Sequence, residues 1–140
     1  MEQMDSFFKR LFVTYTKENE KTGEIYSGRA SGIISEEDIN GTSARDILAK
    51  RDSSHHKNKD GFQRADIDVY SVDSDATRGR EQMLIDYNGG AKSEGGFSGN
   101  DINGISHKNK KREQYLEAAL KIFGGLGILF LLFTILYSII

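Results

Sequence analysis

Three short segments of the chain have the residue types or the hydrophobic pattern of strands. Leu11–Thr16 is rich in β-branched and aromatic side chains, and Glu24–Gly28 follows after a polar stretch that contains glycine. This order predicts a β-hairpin. A third strand is predicted over about Ala65–Val72, where Ile67 and Val69 alternate with aspartates. Together these segments favour a small antiparallel sheet.

Three further segments carry the spacing of amphipathic helices. They are predicted over about Thr42–His56, Ala76–Tyr87 and Lys110–Lys121. The first is expected to be capped by Thr42 or Ser43, and the second by Ser74 or Asp75. The pattern therefore predicts an α+β domain in which a three-stranded antiparallel sheet is flanked by helices.

The C-terminal segment Ile122–Ile140 is apolar almost throughout, with 14 hydrophobic residues of 19 and no charge. As a helix it would be about 28 Å long, close to the ~30 Å hydrocarbon thickness of a bilayer. It is predicted to be a transmembrane helix, the alternative being a buried C-terminal core helix. Basic residues over 108–112 precede it, so the positive-inside tendency places the N-terminal part in the cytoplasm. The chain divides into a domain over residues 1–121 and a tail over 122–140.

The composition narrows the possible classes of function. The chain of 140 residues has no cysteine, which excludes disulfide frameworks, thiolate metal sites and thiol nucleophiles. Its net charge of −2 provides no overall basic field for nucleic acid. Residues 42–64, however, carry six basic and three acidic side chains, a local excess of three positive charges. This excess suits a modest phosphate-binding surface, although a solvated helix and loop would look the same.

Several polar residues fall on predicted elements where they could act together. Tyr15 and Tyr26 lie on the two hairpin strands, and Arg51 and His55 are four residues apart, which predicts that they share one helix face. Glu81 precedes an apolar pair by three and four residues, so its carboxylate should turn toward the interior. A buried carboxylate needs a cation or a metal ion. The simpler alternatives are an ion pair with Arg78 within the helix, or a carboxylate that reaches solvent at the edge of the core.

These residues, taken in order, resemble a known family. The carrying segments are Val13-Thr14-Tyr15, Tyr26-Ser27-Gly28-Arg29, Arg51 with His55, Arg80-Glu81-Gln82 and Asn103-Gly104-Ile105-Ser106. The pattern resembles the GIY-YIG nuclease superfamily, and more narrowly the nuclease-type domains at the C-terminal ends of bacterial RHS and related polymorphic toxins. It extends from about Leu11 to Leu120, with the two signature triplets only partly kept.

The resemblance implies a role for each matching residue. Tyr15 and Tyr26 would border the active site, and one of them would help to deprotonate the attacking water. Arg51 would contact the scissile phosphate, with His55 one turn further on, and Glu81 would bind a divalent metal such as Mg²⁺. Arg29, Lys50 and the late asparagine, Asn103, would bind substrate.

Phosphodiester cleavage places negative charge on phosphoryl oxygens, so a guanidinium and one carboxylate-bound Mg²⁺ suit the reaction. Tyrosine is a weak base at its ordinary pKa near ~10 and needs help from a cation, a metal or a water, so His55 or His56 is the alternative base.

The expectation is a toxin-like, metal-dependent endonuclease that hydrolyses DNA, or else RNA, and is countered by an immunity protein. It would be membrane-tethered through a single C-terminal span, or else be secreted or delivered. Two other functions stay open at this point. The chain could be a catalytically inactive, membrane-anchored module that binds nucleic acid or protein, or a small membrane protein whose tail does the work.

Overall fold

The computed structural model describes residues 7–125 and contains one three-stranded antiparallel sheet. Its strands are β1 (Phe8–Glu18), β2 (Ile25–Ser35) and β3 (Asp66–Ser71), arranged in the order β2-β1-β3. Both pairings are antiparallel, so β1 is the central strand and β2 lies at an edge. The predicted α+β class with a three-stranded antiparallel sheet is confirmed.

Three α-helices accompany the sheet: α1 (Gly41–Ser53), α2 (Ser74–Tyr87) and α3 (Arg112–Phe123). Short 3₁₀ turns lie at Glu36–Asp38, Asn58–Asp60 and Lys92–Glu94. The long segment between α2 and α3 has no other helix or strand.

The central strand presents two different faces. Leu11, Val13 and Tyr15 are almost fully buried and pack against Ala44 and Leu48 of α1. The β-branched and aromatic residues that predicted this strand supply its buried face.

The opposite face holds a polar cluster between β1, β3 and α2. Thr14 donates to the Asp68 carboxylate, and Arg80 binds the same carboxylate through two hydrogen bonds of 2.8 and 2.9 Å. A paired guanidinium and carboxylate satisfy each other, which makes their partial burial tolerable. Helix α3 then packs closely on α2, where a side chain at Gly79 would overlap the Tyr115 carbonyl oxygen.

The caps of the first two helices differ from the prediction. Asn40 caps α1, because its side chain accepts from the Ser43 amide while the Ser43 hydroxyl accepts from the Asn40 amide. This reciprocal capping box places the helix start before Thr42. Asp73 caps α2 by accepting from the Ala76 amide at 2.9 Å.

Helix α1 also ends earlier than predicted, at Ser53, and this corrects one inference about the site. Ser54 leaves the helical conformation, and the His55 amide bonds to the Asp52 carbonyl in the turn that follows. Arg51 and His55 therefore do not share a helix face. The chain turns here because the Asn58 side-chain amide donates to the Asp52 carbonyl, and because the His55 ring is hydrogen-bonded to the Tyr15 hydroxyl on the sheet.

Helix α3 begins and ends two residues later than predicted and is followed by Gly124, whose φ is +75°. Within residues 7–125, no helix is both long enough and apolar enough to cross a membrane. Most of the segment predicted to span one, residues 126–140, lies outside the described part of the chain.

Candidate active site

Two tyrosines and a histidine meet over the edge strand β2. The His55 Nε2 atom lies 2.9 Å from the Tyr15 hydroxyl, and the Tyr26 ring packs edge-on to His55 with centroids 4.9 Å apart. Tyr15 reaches this position by crossing Gly28, where an added Cβ would lie only 2.5 Å from the hydroxyl oxygen. A glycine opposite Tyr15 is therefore what lets the phenol approach the strand so closely.

The backbone selects the tautomer of His55. Its Nδ1 atom accepts a hydrogen bond of 3.1 Å from the Lys57 amide, so the neutral ring carries its proton on Nε2. That proton is donated to the Tyr15 oxygen. Both ring nitrogens of His55 are thus occupied, and this residue orients Tyr15 with no lone pair left for a water.

Burial and neighbouring charges change the acidity of all three groups. Burial, followed by the charges of His56 and Lys17, lowers the pKa of His55 to about 4, so the ring is neutral at pH 7. Burial raises the pKa of Tyr15, and the charge of Arg51 opposes this.

The pKa of Tyr26 is set by the same kinds of cause. Burial and then the charge of Glu81 raise it, and the charge of Arg51 and the nearby Tyr15 hydroxyl only partly oppose this. His55 is hydrogen-bonded to Tyr15, and the Tyr26 ring packs beside both, with its centroid 6.3 Å from that of Tyr15.

A cleft of about 420 Å³ opens beside Tyr26. Its lining comes from β2, from the turn after α1, from α2 and from the loop before α3; it comprises Tyr26, Ser27, His56, Lys57, Glu81, Ile85, Asn100, Asp101, Ile102, Asn103 and Gly104. Tyr15 and His55 are buried behind it. Of these three aromatic residues, only Tyr26 lines the cleft.

Glu81 projects into this cleft from α2. Its carboxylate packs against Gly104, where a Cβ would overlap the carboxylate oxygen. Burial raises the pKa of Glu81, and the charges of Arg29 and Arg78 oppose this. The predicted alternative, an ion pair with Arg78, does not form, since that guanidinium lies 4.7 Å from the centre of the Tyr115 ring. Among residues 7–125 the carboxylate has no hydrogen bond or ion pair.

The donor set suits Mg²⁺ better than a metal that needs several protein ligands. No group of three or more histidine, aspartate or glutamate side chains could share a metal within the described residues. Mg²⁺ is commonly held by one or two carboxylates together with waters and substrate phosphate. An unpaired carboxylate in an open cleft, with the Asn103 side chain beside it, fits that chemistry, and Glu81 is the residue that would hold the ion.

The predicted substrate-binding residues divide into three places. Asn103 lines the cleft, and its Oδ1 accepts from Gln82 at 2.9 Å. Lys50 and Arg51 are exposed and line a different groove, between α1 and β2. Arg29 donates to the Ser74 carbonyl at 3.0 Å and lies over the Phe12 ring, so it holds the start of α2 against the sheet.

Sequence reasoning missed the residues that build the cleft wall. Asn100 accepts from the Ser27 amide at 2.9 Å and donates to the Ser27 carbonyl at 2.8 Å, so it pairs with the edge of β2 like an added strand residue. Gln82 donates to Asn103 and accepts from the Ile105 amide at 2.9 Å. Both partnerships join distant parts of the chain and leave no local signal.

Comparison of the chain with protein-family models, with curated proteins and with solved structures finds no match.

Proposed function

We propose that the chain is a metal-dependent endonuclease that hydrolyses phosphodiester bonds of DNA. One observation carries the proposal: among residues 7–125 the Glu81 carboxylate has no protein partner, and it lies in a cleft beside Tyr26, whose ring packs against the hydrogen-bonded pair of His55 and Tyr15. A partly buried carboxylate without a protein partner is costly, and a divalent cation together with a phosphate would relieve that cost.

Each residue has a defined part in the reaction. Tyr26 faces the cleft and, as the phenolate, would take the proton of the attacking water. Burial and the Glu81 charge raise its pKa and the charge of Arg51 opposes this, so a cation at Glu81 would be needed to make the phenolate available near neutral pH. His55 keeps Tyr15 in place through its Nε2 proton. A divalent metal at Glu81 supplies Lewis-acid stabilisation of the charge that builds up on the phosphoryl oxygens.

A polyanionic substrate would be bound by basic residues outside the cleft and by the metal at Glu81. Lys57 lines the cleft but is buried and paired with Asp101, whereas Lys50 and Arg51 are exposed in the groove between α1 and β2. Contacts of this kind bind phosphates without regard to base sequence and weaken as salt rises. The proposal therefore includes weak, salt-sensitive binding of DNA, with RNA as the second substrate to be tested.

The toxin-like role, the membrane tether through residues 122–140 and an immunity partner stay predictions from the sequence. So does the reading in which the same cleft binds nucleic acid without cleaving it.

A cleavage assay tests the proposal. The full-length chain in a non-ionic detergent is incubated with supercoiled plasmid in Mg²⁺ or in EDTA, together with Glu81→Gln and Glu94→Gln. Glu94 is an exposed carboxylate outside the cleft and serves as the matched control. We expect nicking by the parent in Mg²⁺ alone, a loss of about 100-fold or more in Glu81→Gln, and parental activity in Glu94→Gln.

Two results would count against the proposal. Equal nicking by the parent and Glu81→Gln would refute the site. A folded parent that binds DNA but cleaves neither DNA nor RNA in Mg²⁺ would favour the inactive binding module.

A further inference from the structure

His56 is an exposed imidazole that is nevertheless held in a fixed orientation at the cleft. Its ring stacks on His55, with centroids 4.6 Å apart and an interplanar angle of 17°. The Tyr26 ring meets it edge-on at 5.6 Å. Both contacts are made by residues that are themselves held by the sheet and by Tyr15, so His56 presents its ring to the same cleft as Glu81.

The nitrogens of His56 are available, in contrast to those of His55. Among residues 7–125, neither ring nitrogen of His56 takes part in a hydrogen bond or an ion pair, whereas both nitrogens of His55 are occupied. His56 is also exposed to solvent, which lets it recover a proton after losing one.

The other titratable groups of the cleft already have different parts or different chemistry. Tyr26 is the base and Glu81 the metal ligand in the proposed reaction. Lys57 lies 3.5 Å from the Asp101 carboxylate and over the Phe62 ring, and an ammonium gives up its proton less readily than an imidazolium near neutral pH. Asp101 is exposed, and its carboxylate is the partner of Lys57.

We propose that His56 is the general acid of the reaction and protonates the leaving oxygen. The inference rests on the proposed nuclease function. As water adds to phosphorus, its proton passes to the Tyr26 phenolate, which becomes the phenol, and the bond from phosphorus to the leaving oxygen breaks; the Tyr26 proton returns to solvent before the next turnover. The departing oxygen takes the ring proton of the His56 imidazolium, and the neutral imidazole is then reprotonated by solvent.

A substrate with a better leaving group separates this role from a structural one. The parent first cleaves an ordinary duplex, and the product ends identify the bridging oxygen that leaves. A second duplex carries sulfur at that position, because a thiolate departs without needing a proton. The full-length parent, His56→Ala, His56→Gln and His107→Ala are compared on both duplexes in single-turnover assays. His107 is an exposed histidine outside the cleft and is the matched control.

For a general acid, His56→Ala and His56→Gln should slow cleavage of the ordinary duplex by about 100-fold. On the sulfur duplex both variants should cleave within about threefold of the parent, and His107→Ala should match the parent on both substrates.

Three outcomes would overturn the inference. Parental rates in both His56 variants would assign protonation of the leaving oxygen to another donor, such as water. Equal slowing on both duplexes would show that His56 only supports the site. A parent that cleaves neither duplex would remove the proposed nuclease function itself, and the inference with it.

Discussion

Replacing Gly28 by Ala tests the close packing of Tyr15 on strand β2, on which its hydrogen bond to His55 depends. An alanine Cβ would lie 2.5 Å from the Tyr15 hydroxyl, 2.6 Å from Tyr15 Cζ and 2.9 Å from Tyr26 Cε1. Tyr15 cannot simply move away, because it is buried and hydrogen-bonded to His55. The added methyl group must therefore displace the phenol and break that bond.

The expected loss of stability follows from three contributions. Overpacking of a buried site costs about 1–3 kcal/mol. Loss of the hydrogen bond between Tyr15 and His55 adds about 1 kcal/mol. The lower entropy of the unfolded chain when glycine becomes alanine returns about 0.4–1 kcal/mol. The net loss should be about 2 kcal/mol in the free energy of unfolding.

Urea unfolding followed by far-ultraviolet circular dichroism measures this change. Gly32→Ala on the same strand is the matched control, since its added Cβ would lie 3.1 Å from the half-buried Ile47 side chain and needs a shift of only a few tenths of an ångström. We expect that control to lose less than about 1 kcal/mol. A Gly28→Ala protein within about 0.5 kcal/mol of the parent would refute the reasoning.

Three further predictions concern buried titratable side chains. Burial raises the pKa of Glu81, so its ionisation destabilises the metal-free fold at neutral pH; Glu81→Gln should raise the melting temperature in EDTA and abolish the increase that Mg²⁺ gives the parent. Burial lowers the pKa of His55 to about 4, so the unfolded state takes up more protons below pH 6.5, and stability should fall by up to about 3 kcal/mol as the pH falls to 4. His55→Gln should flatten that slope in urea unfolding. Lys17→Met leaves Asp52 without the ammonium group that it binds and should lower the free energy of unfolding by about 3 kcal/mol. The double variant Lys17→Met/Asp52→Asn should recover part of this loss, because the asparagine side chain is neutral and its oxygen still accepts from the Ala65 amide.

Each of these predictions has a contrary result. A lower melting temperature for Glu81→Gln in EDTA would show that its carboxylate stabilises the metal-free fold. Parallel pH profiles for the parent and His55→Gln would show that this histidine titrates alike in both states. A loss below about 1 kcal/mol in Lys17→Met would mean that Asp52 finds another partner.

The strands were predictable where the residue types or the pattern are typical of strands. The β-branched and aromatic residues of β1 predicted it, and Leu11, Val13 and Tyr15 face the core. The second half of β2, over residues 29–35, does not alternate clearly and was not predicted. It is extended because every residue pairs with β1, from Thr14 opposite Arg29 to Phe8 opposite Ser35. Pairing with a distant strand is invisible in the local pattern.

The sequence predicted which residues meet at the site better than it predicted how they are arranged. Tyr15, Tyr26 and His55 do meet, yet the helical spacing of His55 and Arg51 was the wrong reason, since α1 ends before His55. The separation of Tyr15 from the cleft depends on the turn after α1 and on Gly28, which only the folded chain shows.

In the loop before α3, the sequence predicted one asparagine of the cleft and not the other. Asn103 was expected at the site and lines the cleft, whereas Asn100, three residues earlier, gave no sign of its pairing with Ser27. Both are asparagines near glycines, and only contacts with β2 and with Gln82 distinguish their parts.

Direct titration of the metal tests the central claim that Glu81 holds the ion for phosphodiester hydrolysis. Isothermal calorimetry would follow Mn²⁺ and Mg²⁺ binding to the full-length parent, Glu81→Gln and Glu94→Gln in detergent. The account predicts one site in the parent and in Glu94→Gln, and a loss of that site in Glu81→Gln. Unchanged binding by Glu81→Gln, or no binding by the folded parent, would contradict it.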